Sequence, residues 1–147
     1  MTDSVQPRLQ AQTILLVEDE PAIRTLIRRM LAGAGCELLV ARNGDEAMSM
    51  ARQHSSVIDL LLTDVVMPRM NGFELGELIA RTHPETNMLF VSGHAGDSAS
   101  VRRGLRTAGR AFLLKPFTYD ALLGKIVRRE HIDGEGGIFG RATDVRS

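Results

Sequence analysis

Short apolar runs alternate with longer amphipathic stretches all along this chain, and that alternation constrains the fold more than any other feature. Five such runs can be counted: Thr13 to Glu18, Glu37 to Ala41, Val57 to Thr63, Asn87 to Val91 and Ala111 to Leu114. Strand-like runs separated by helical patterns are the sequence signal for βαβ units and a parallel sheet. The third run carries Leu60, Leu61 and Leu62 without polar alternation, which suits a central strand covered on both faces. The expected fold is α/β and doubly wound, a βα unit repeated five times, with a five-stranded parallel sheet between two helical layers.

The stretches between the runs read as helices. The first starts near Pro21, whose fixed φ suits a first helical turn, and sets Ile23, Leu26, Ile27, Met30 and Leu31 on one face before Gly33 and Gly35 end it. The second follows Asn43-Gly44 and buries Ala47, Met48 and Ala51. The loop from Met67 to Gly72 carries Pro and Gly as breakers, and a third helix runs from Phe73 to Arg81, before Pro84. A weaker fourth helix, poor in large apolar residues, covers Ser98 to Thr107. A fifth from Thr118 to Arg129 presents Leu122, Leu123, Ile126 and Val127.

A length of 147 residues suits one domain, expected over 13–132. A flexible segment precedes it at 1–12, and the tail at 133–147, with Gly134, Gly136, Gly137 and Gly140, reads as flexible too. Lys plus Arg and Asp plus Glu both total 18, so the long-range attraction that non-specific nucleic-acid binding needs is missing. Cys36 is the only cysteine, which excludes an intramolecular disulfide and fits a reducing compartment. The first dozen residues lack the apolar core of a secretory signal, and no apolar stretch reaches the ~18 residues a membrane span requires. A cytoplasmic location is expected.

Polar residues stand where four of the runs end: Glu18-Asp19, Asp64, Ser92 and Lys115. In an open parallel sheet, ligands bind outside the carboxyl ends of the strands, so these groups converge. Carboxylates, a hydroxyl and an amine at one spot suit metal-assisted phosphate chemistry. Glu18, Asp19 and Glu20 before Pro21 also suit a plain helix start, where acids cap the first turn and favour its dipole. Three crowded carboxylates repel one another without a cation, however, which favours a bound metal. Asp64, at the end of a Leu-rich strand, has no capping duty. The four histidines, His54, His83, His94 and His131, show no metal-ligand spacing.

From Thr13 to about Arg129 the chain resembles the receiver domain of two-component response regulators. The marks stand in order: Leu16-Val17-Glu18-Asp19-Glu20-Pro21, then Thr63-Asp64-Val65-Val66-Met67-Pro68 with Gly72, then Val91-Ser92-Gly93, then Phe112 and Lys115-Pro116-Phe117. The resemblance implies strand order 2-1-3-4-5 and a phosphoryl group moved onto Asp64 from a phosphohistidine of a histidine kinase or phosphotransfer protein. It implies Mg²⁺, or Mn²⁺, held by Asp19, Asp64, the Val66 backbone carbonyl and, through water, Glu18. Lys115 would pair with a phosphate oxygen and Ser92 would donate to another. Phe112 would pack into space vacated as Ser92 moves, the Lys115-Pro116 peptide bond would be cis, and Val66 and His94 would tune the phosphate's lifetime.

The surface expected to change is that of the fourth helix, fifth strand and fifth helix, which carries Arg102, Arg103, Arg106 and Arg110 and suits an acidic partner or self-association. Such a chain is a self-phosphorylating and self-dephosphorylating phosphoacceptor rather than a turnover enzyme, either free-standing or a receiver segment of a hybrid kinase. No direct nucleic-acid binding is expected. Glu18 replaces the commoner Asp, Ser92 stands where Thr is also common, and Phe112 where many members have Tyr. A pseudo-receiver would lack the acceptor, the acid pair or the lysine, and none is missing. A flavodoxin-like flavin-binding module would need a Gly/Ser/Thr-rich phosphate loop after the first strand, where this chain has Glu18-Asp19-Glu20-Pro21.

Overall fold

A computed structural model of the chain describes residues 12–93 and 111–126. The expected fourth helix, the tail expected to be flexible, His94 and the four arginines of the expected output surface lie outside the described residues. Eight elements follow in order: β1 (Thr13–Val17), α1 (Pro21–Ala32), β2 (Glu37–Ala41), α2 (Gly44–Gln53), β3 (Leu60–Asp64), α3 (Gly72–Thr82), β4 (Asn87–Ser92) and β5 (Phe112–Leu114). A further helix spans 119–126. The strands form one five-stranded sheet in the order β2-β1-β3-β4-β5, the doubly wound arrangement expected.

The chain divides into two compact units, Met1–Met88 and Leu89–Ser147. In the first, β1 pairs in parallel with β2 on one side and β3 on the other. Every residue of β1 and β3 is buried, as strands covered on both faces must be. Alternate residues part the two faces. Leu15, Val17 and Leu61 pack with Ala47 and Ala51 of α2 and Leu75 and Ile79 of α3. The register pairs Ile14 with Leu38 and Leu16 with Val40, and Leu38 and Val40 share a groove with α1. Helix α1 therefore covers the face opposite α2 and α3.

Local chemistry sets the helix boundaries. The Asn43 and Asn71 side chains accept from Glu46 N–H and Glu74 N–H, both at 2.8 Å, and cap α2 and α3. Glu74 returns a bond to the Asn71 N–H, completing a capping box. In α1, Ile27 and Leu31 are buried as the apolar stripe predicts, but Leu26 is 46% exposed, since it lies at the margin of that stripe.

The third strand begins later than the apolar run suggests, at Leu60 rather than Val57, which is 50% exposed. Asp59 intervenes: its Oδ2 accepts the Thr13 N–H at 2.7 Å and its own N–H donates to the Thr13 carbonyl at 2.9 Å. The Thr86 hydroxyl donates to the Ile58 carbonyl at 2.7 Å and satisfies the backbone beside it.

In the second unit, β4 and β5 pair in parallel, Phe90 opposite Phe112 and Ser92 opposite Leu114. The buried apolar residues described there are Leu89, Phe90, Val91, Ala111, Leu113, Leu122, Leu123 and Ile126. The last three stand on the buried side of helix 119–126, where the apolar spacing placed them. Strand β5 starts at Phe112, one residue later than the run from Ala111, whose carbonyl accepts the Phe90 N–H at 3.0 Å.

Candidate metal and phosphate site

The register that sets Val17 beside Thr63 brings the carboxyl ends of β1 and β3 level, so Glu18 and Asp64 emerge together. Oxygens of Glu18, Asp19 and Asp64 lie within 4.8 Å of one another, with Asp19 the exposed member. Glu18 is 1% and Asp64 6% exposed, so two of the three acids are buried. Carboxylates are rarely buried without compensating charge. Hard oxygen donors in a compact group suit Mg²⁺ or Mn²⁺ better than softer metals. Among the described residues, no other trio of His, Cys, Asp or Glu is placed to hold a metal.

The backbone around these acids is held from several sides. Glu18 N–H donates to the Ala41 carbonyl at 3.2 Å, and the Glu18 carbonyl accepts from Arg24 Nη1 at 2.9 Å. Glu18 Oε2 accepts the Glu20 N–H at 3.2 Å. Glu20 occupies the cap position of α1 yet its side chain makes no cap bond. The plain capping reading of this acidic run thus loses the bond it needs.

After Asp64 the chain turns back sharply. Gly72 N–H donates to the Val65 carbonyl at 2.8 Å, and a Cβ at Gly72 would overlap the Asp64 carbonyl oxygen. Only glycine allows that approach. The Thr63 hydroxyl donates to the same Asp64 carbonyl at 3.0 Å. In the loop between, Val66 is 54% exposed and Met67 is buried. Arg69 adopts φ 70°, a conformation rare outside glycine, and its guanidinium stands 3.6 Å from Asp45. Glu46 lies nearby on α2. The Arg42 N–H foremost, then the Arg42 guanidinium and Arg24, hold its carboxyl below the usual glutamate range.

In the second unit, Ser92 ends β4 and is buried, while Lys115 follows β5 and is half-buried. Lys115 N–H donates to the Ser92 carbonyl at 2.7 Å, so the strand pairing brings these two positions together. The Lys115-Pro116 peptide bond is cis. Phe112 is half-buried, with Lys125 Nζ 5.9 Å from the centre of its ring. Arg24, Lys125 and the packing duty of Gly72 escape sequence reasoning.

Residues 14–127 match the family model described as the response regulator receiver domain. The chain is 39% identical over 110 residues to the sensor kinase CckA of Brucella abortus, covering 75% of this chain and 12% of that protein. It is 31% identical over 121 residues to the transcriptional regulatory protein CpxR of Escherichia coli K12, covering 80% of this chain and 50% of that one. It therefore spans only a part of the curated relatives it matches. Among solved structures, the chemotaxis protein CheY4 of Vibrio cholerae is similar with TM-score 0.69 and 28% identity, over 80% of this chain and 97% of that one. The receiver domain of the hybrid histidine kinase CckA is similar with TM-score 0.59 and 30% identity, over 78% and 94%.

Proposed function

Because the chain belongs to the response regulator receiver family, we propose that it acts in two-component signalling as a phosphoacceptor, taking a phosphoryl group from a phosphohistidine onto the Asp64 carboxylate. The observation that carries this reading is the clustering of Glu18, Asp19 and Asp64 oxygens within 4.8 Å, with the acceptor carboxylate buried at a strand end. The attacking oxygen of Asp64 forms the new O–P bond in line while the P–N bond to the donor imidazole breaks and its electron pair returns to that nitrogen. Asp19 and Asp64 would hold Mg²⁺ or Mn²⁺ directly, with Glu18 acting through water and the Val66 carbonyl completing the protein's share. When bound, the ion supplies the positive charge that lets an anionic carboxylate approach an anionic phosphoryl group.

Lys115 serves as a point charge for a phosphate oxygen and the Ser92 hydroxyl donates to another. Phosphate on Asp64 favours one of two arrangements of Ser92 and Phe112, which shifts the population and presents a changed surface around β5. Val66 and His94, the positions two past Asp64 and Ser92, set how long the phosphate survives. The chain modifies itself rather than turning over a substrate. Its partners are a histidine kinase or phosphotransfer protein and a downstream protein or second copy, with no nucleic acid read directly. A cytoplasmic location fits these partners, and no described helix is long and apolar enough to cross a membrane.

Intact mass after incubation with Mg²⁺ and a small acyl phosphate tests this. An added phosphoryl mass in the wild type and none in Asp64→Asn supports it. No addition in either, with Mg²⁺ binding shown separately and a panel of histidine kinases also inactive, turns the reading towards a non-phosphorylated interaction domain.

A further inference from the structure

The outer edge of β2 and the flank of α1 enclose a groove of about 490 Å³, lined by Thr25, Arg28, Arg29, Ala32, Leu38 and Val40. Strand β2 ends the sheet, with β1 its only neighbour among the described residues. Glu37 N–H donates to the Gln12 carbonyl and the Ala41 carbonyl accepts from Glu18 N–H, so Glu37, Leu39 and Ala41 spend their backbone groups on β1. Leu38 and Val40, the alternate residues, turn theirs outward. Those same two residues send their side chains into the groove. One short stretch of chain therefore offers both a free hydrogen-bonding edge and an apolar floor.

The rim is cationic. Thr25, Arg28, Arg29 and Ala32 follow the spacing of one helical stripe on α1. Arg28 and Arg29 are exposed and have no ion-pair or hydrogen-bond partner among the described residues. The edge has no proline or bulge, and its β2 charge, Glu37, is at the far end from Val40. Natural edges of this kind are usually blunted, because an open one accepts another strand.

We propose that β2 is a docking edge for an extended acidic segment of a partner protein, which adds as a sixth strand beside Leu38 and Val40. Alternate side chains of that segment enter the groove. Glutamate suits them: its methylenes cover Leu38 and Val40 while its carboxylate reaches Arg28 or Arg29. The pairing bonds supply most of the affinity and the arginines select the charge. This surface is separate from the acidic cluster and does not depend on phosphoryl transfer.

The test is an NMR titration of the ¹⁵N-labelled full chain with a short peptide alternating glutamate and threonine. The largest amide shifts are expected at Leu38 and Val40, and the matching lysine-threonine peptide should bind at least about tenfold more weakly. Arg28→Glu with Arg29→Glu should reverse that preference, and the wild-type comparison of the two peptides stands even if this variant fails to fold. Equal binding of both peptides, no shift at Leu38 and Val40, or shifts confined to α1 as a helical occupant would give, each overturns the proposal. So does a concentration-dependent shift at the same amides without peptide, which assigns the edge to a second copy.

Discussion

Replacing Gly72 with alanine tests whether the turn after β3 is held by close approach or only by backbone flexibility. The new Cβ would overlap the Asp64 carbonyl oxygen and sit 3.0 Å from both the Asp64 carbonyl carbon and the Val65 Cα. These are backbone atoms at the end of a buried strand and cannot retreat as a flexible side chain would. Overpacking costs about 1–3 kcal/mol and a distorted Gly72 N–H bond to Val65 a further ~0.5–1.5 kcal/mol. A loss of roughly 1.5–4.5 kcal/mol is a large share of the ~5–15 kcal/mol that holds a domain folded. In urea it appears as a midpoint lowered by on the order of 1–2 M, with weaker Mg²⁺ binding because Asp64 is displaced. Two other glycines calibrate the measurement. At Gly44 the Cβ would meet Met70 Sδ at 2.5 Å and its Cβ and Cγ at 3.1 Å, all in one flexible side chain rather than backbone, so Gly44→Ala should cost about 1 kcal/mol, less than Gly72→Ala. At Gly124 nothing lies within 4 Å, and Gly124→Ala in the 119–126 helix should gain about 0.5–1 kcal/mol. Gly72→Ala no less stable than Gly44→Ala, with unchanged Mg²⁺ affinity, would refute the close-approach argument.

Four further outcomes follow from the geometry. Asn71→Ala removes the capping box of α3 and should lower stability by about 1 kcal/mol in chemical denaturation. Glu46 has a depressed carboxyl pKa, so its contribution is present above the unfolded value and is lost as pH falls through the lower folded one. The stability gap between wild type and Glu46→Gln should close over that acid window, and a gap unchanged by pH would exclude the Arg42 contacts as its source. Burial raises the Cys36 thiol pKa, so alkylation by iodoacetamide at mildly alkaline pH should be slower than for a free thiol until denaturant is added. Asp64→Asn removes one acid from a crowded trio, so melting without divalent ion should rise while the gain from added Mg²⁺ shrinks or vanishes.

Much of the fold was legible because apolar periodicity reports burial directly. The run Ile14 to Val17 and the stripe with Ile27 and Leu31 gave β1 and α1, and the alternation gave the parallel sheet. The start of β3 was misplaced because Val57 and Ile58 are apolar for different reasons: Ile58 fills the core while Val57 faces solvent. Hydropathy carries no record of the Asp59 side chain taking a backbone bond. At the candidate site, residues just past strand ends could be found from position alone, since topology fixes where strand ends meet. Arg24 could not, because its bond to the Glu18 carbonyl spans a turn whose path only three-dimensional structure reveals. The closeness of Gly72 to Asp64 was hidden for a similar reason, and the residue read simply as a breaker.

Strand β1 has no polar face to tell it which way to lie. When both sides of a strand are apolar, a slip along its neighbours exchanges one greasy residue for another, and the usual penalty for burying the wrong face is weak. Position must then be decided where the greasy stretch stops. At one end Thr13 and Asp59 exchange two hydrogen bonds, and at the other Glu18 N–H reaches the Ala41 carbonyl. Asp59 thus works as a ruler's zero mark: five residues further along the chain stands Asp64, and five on from Thr13 stands Glu18. The spacing of the carboxylates at the chemical end of the sheet is measured out from a bond at the opposite end.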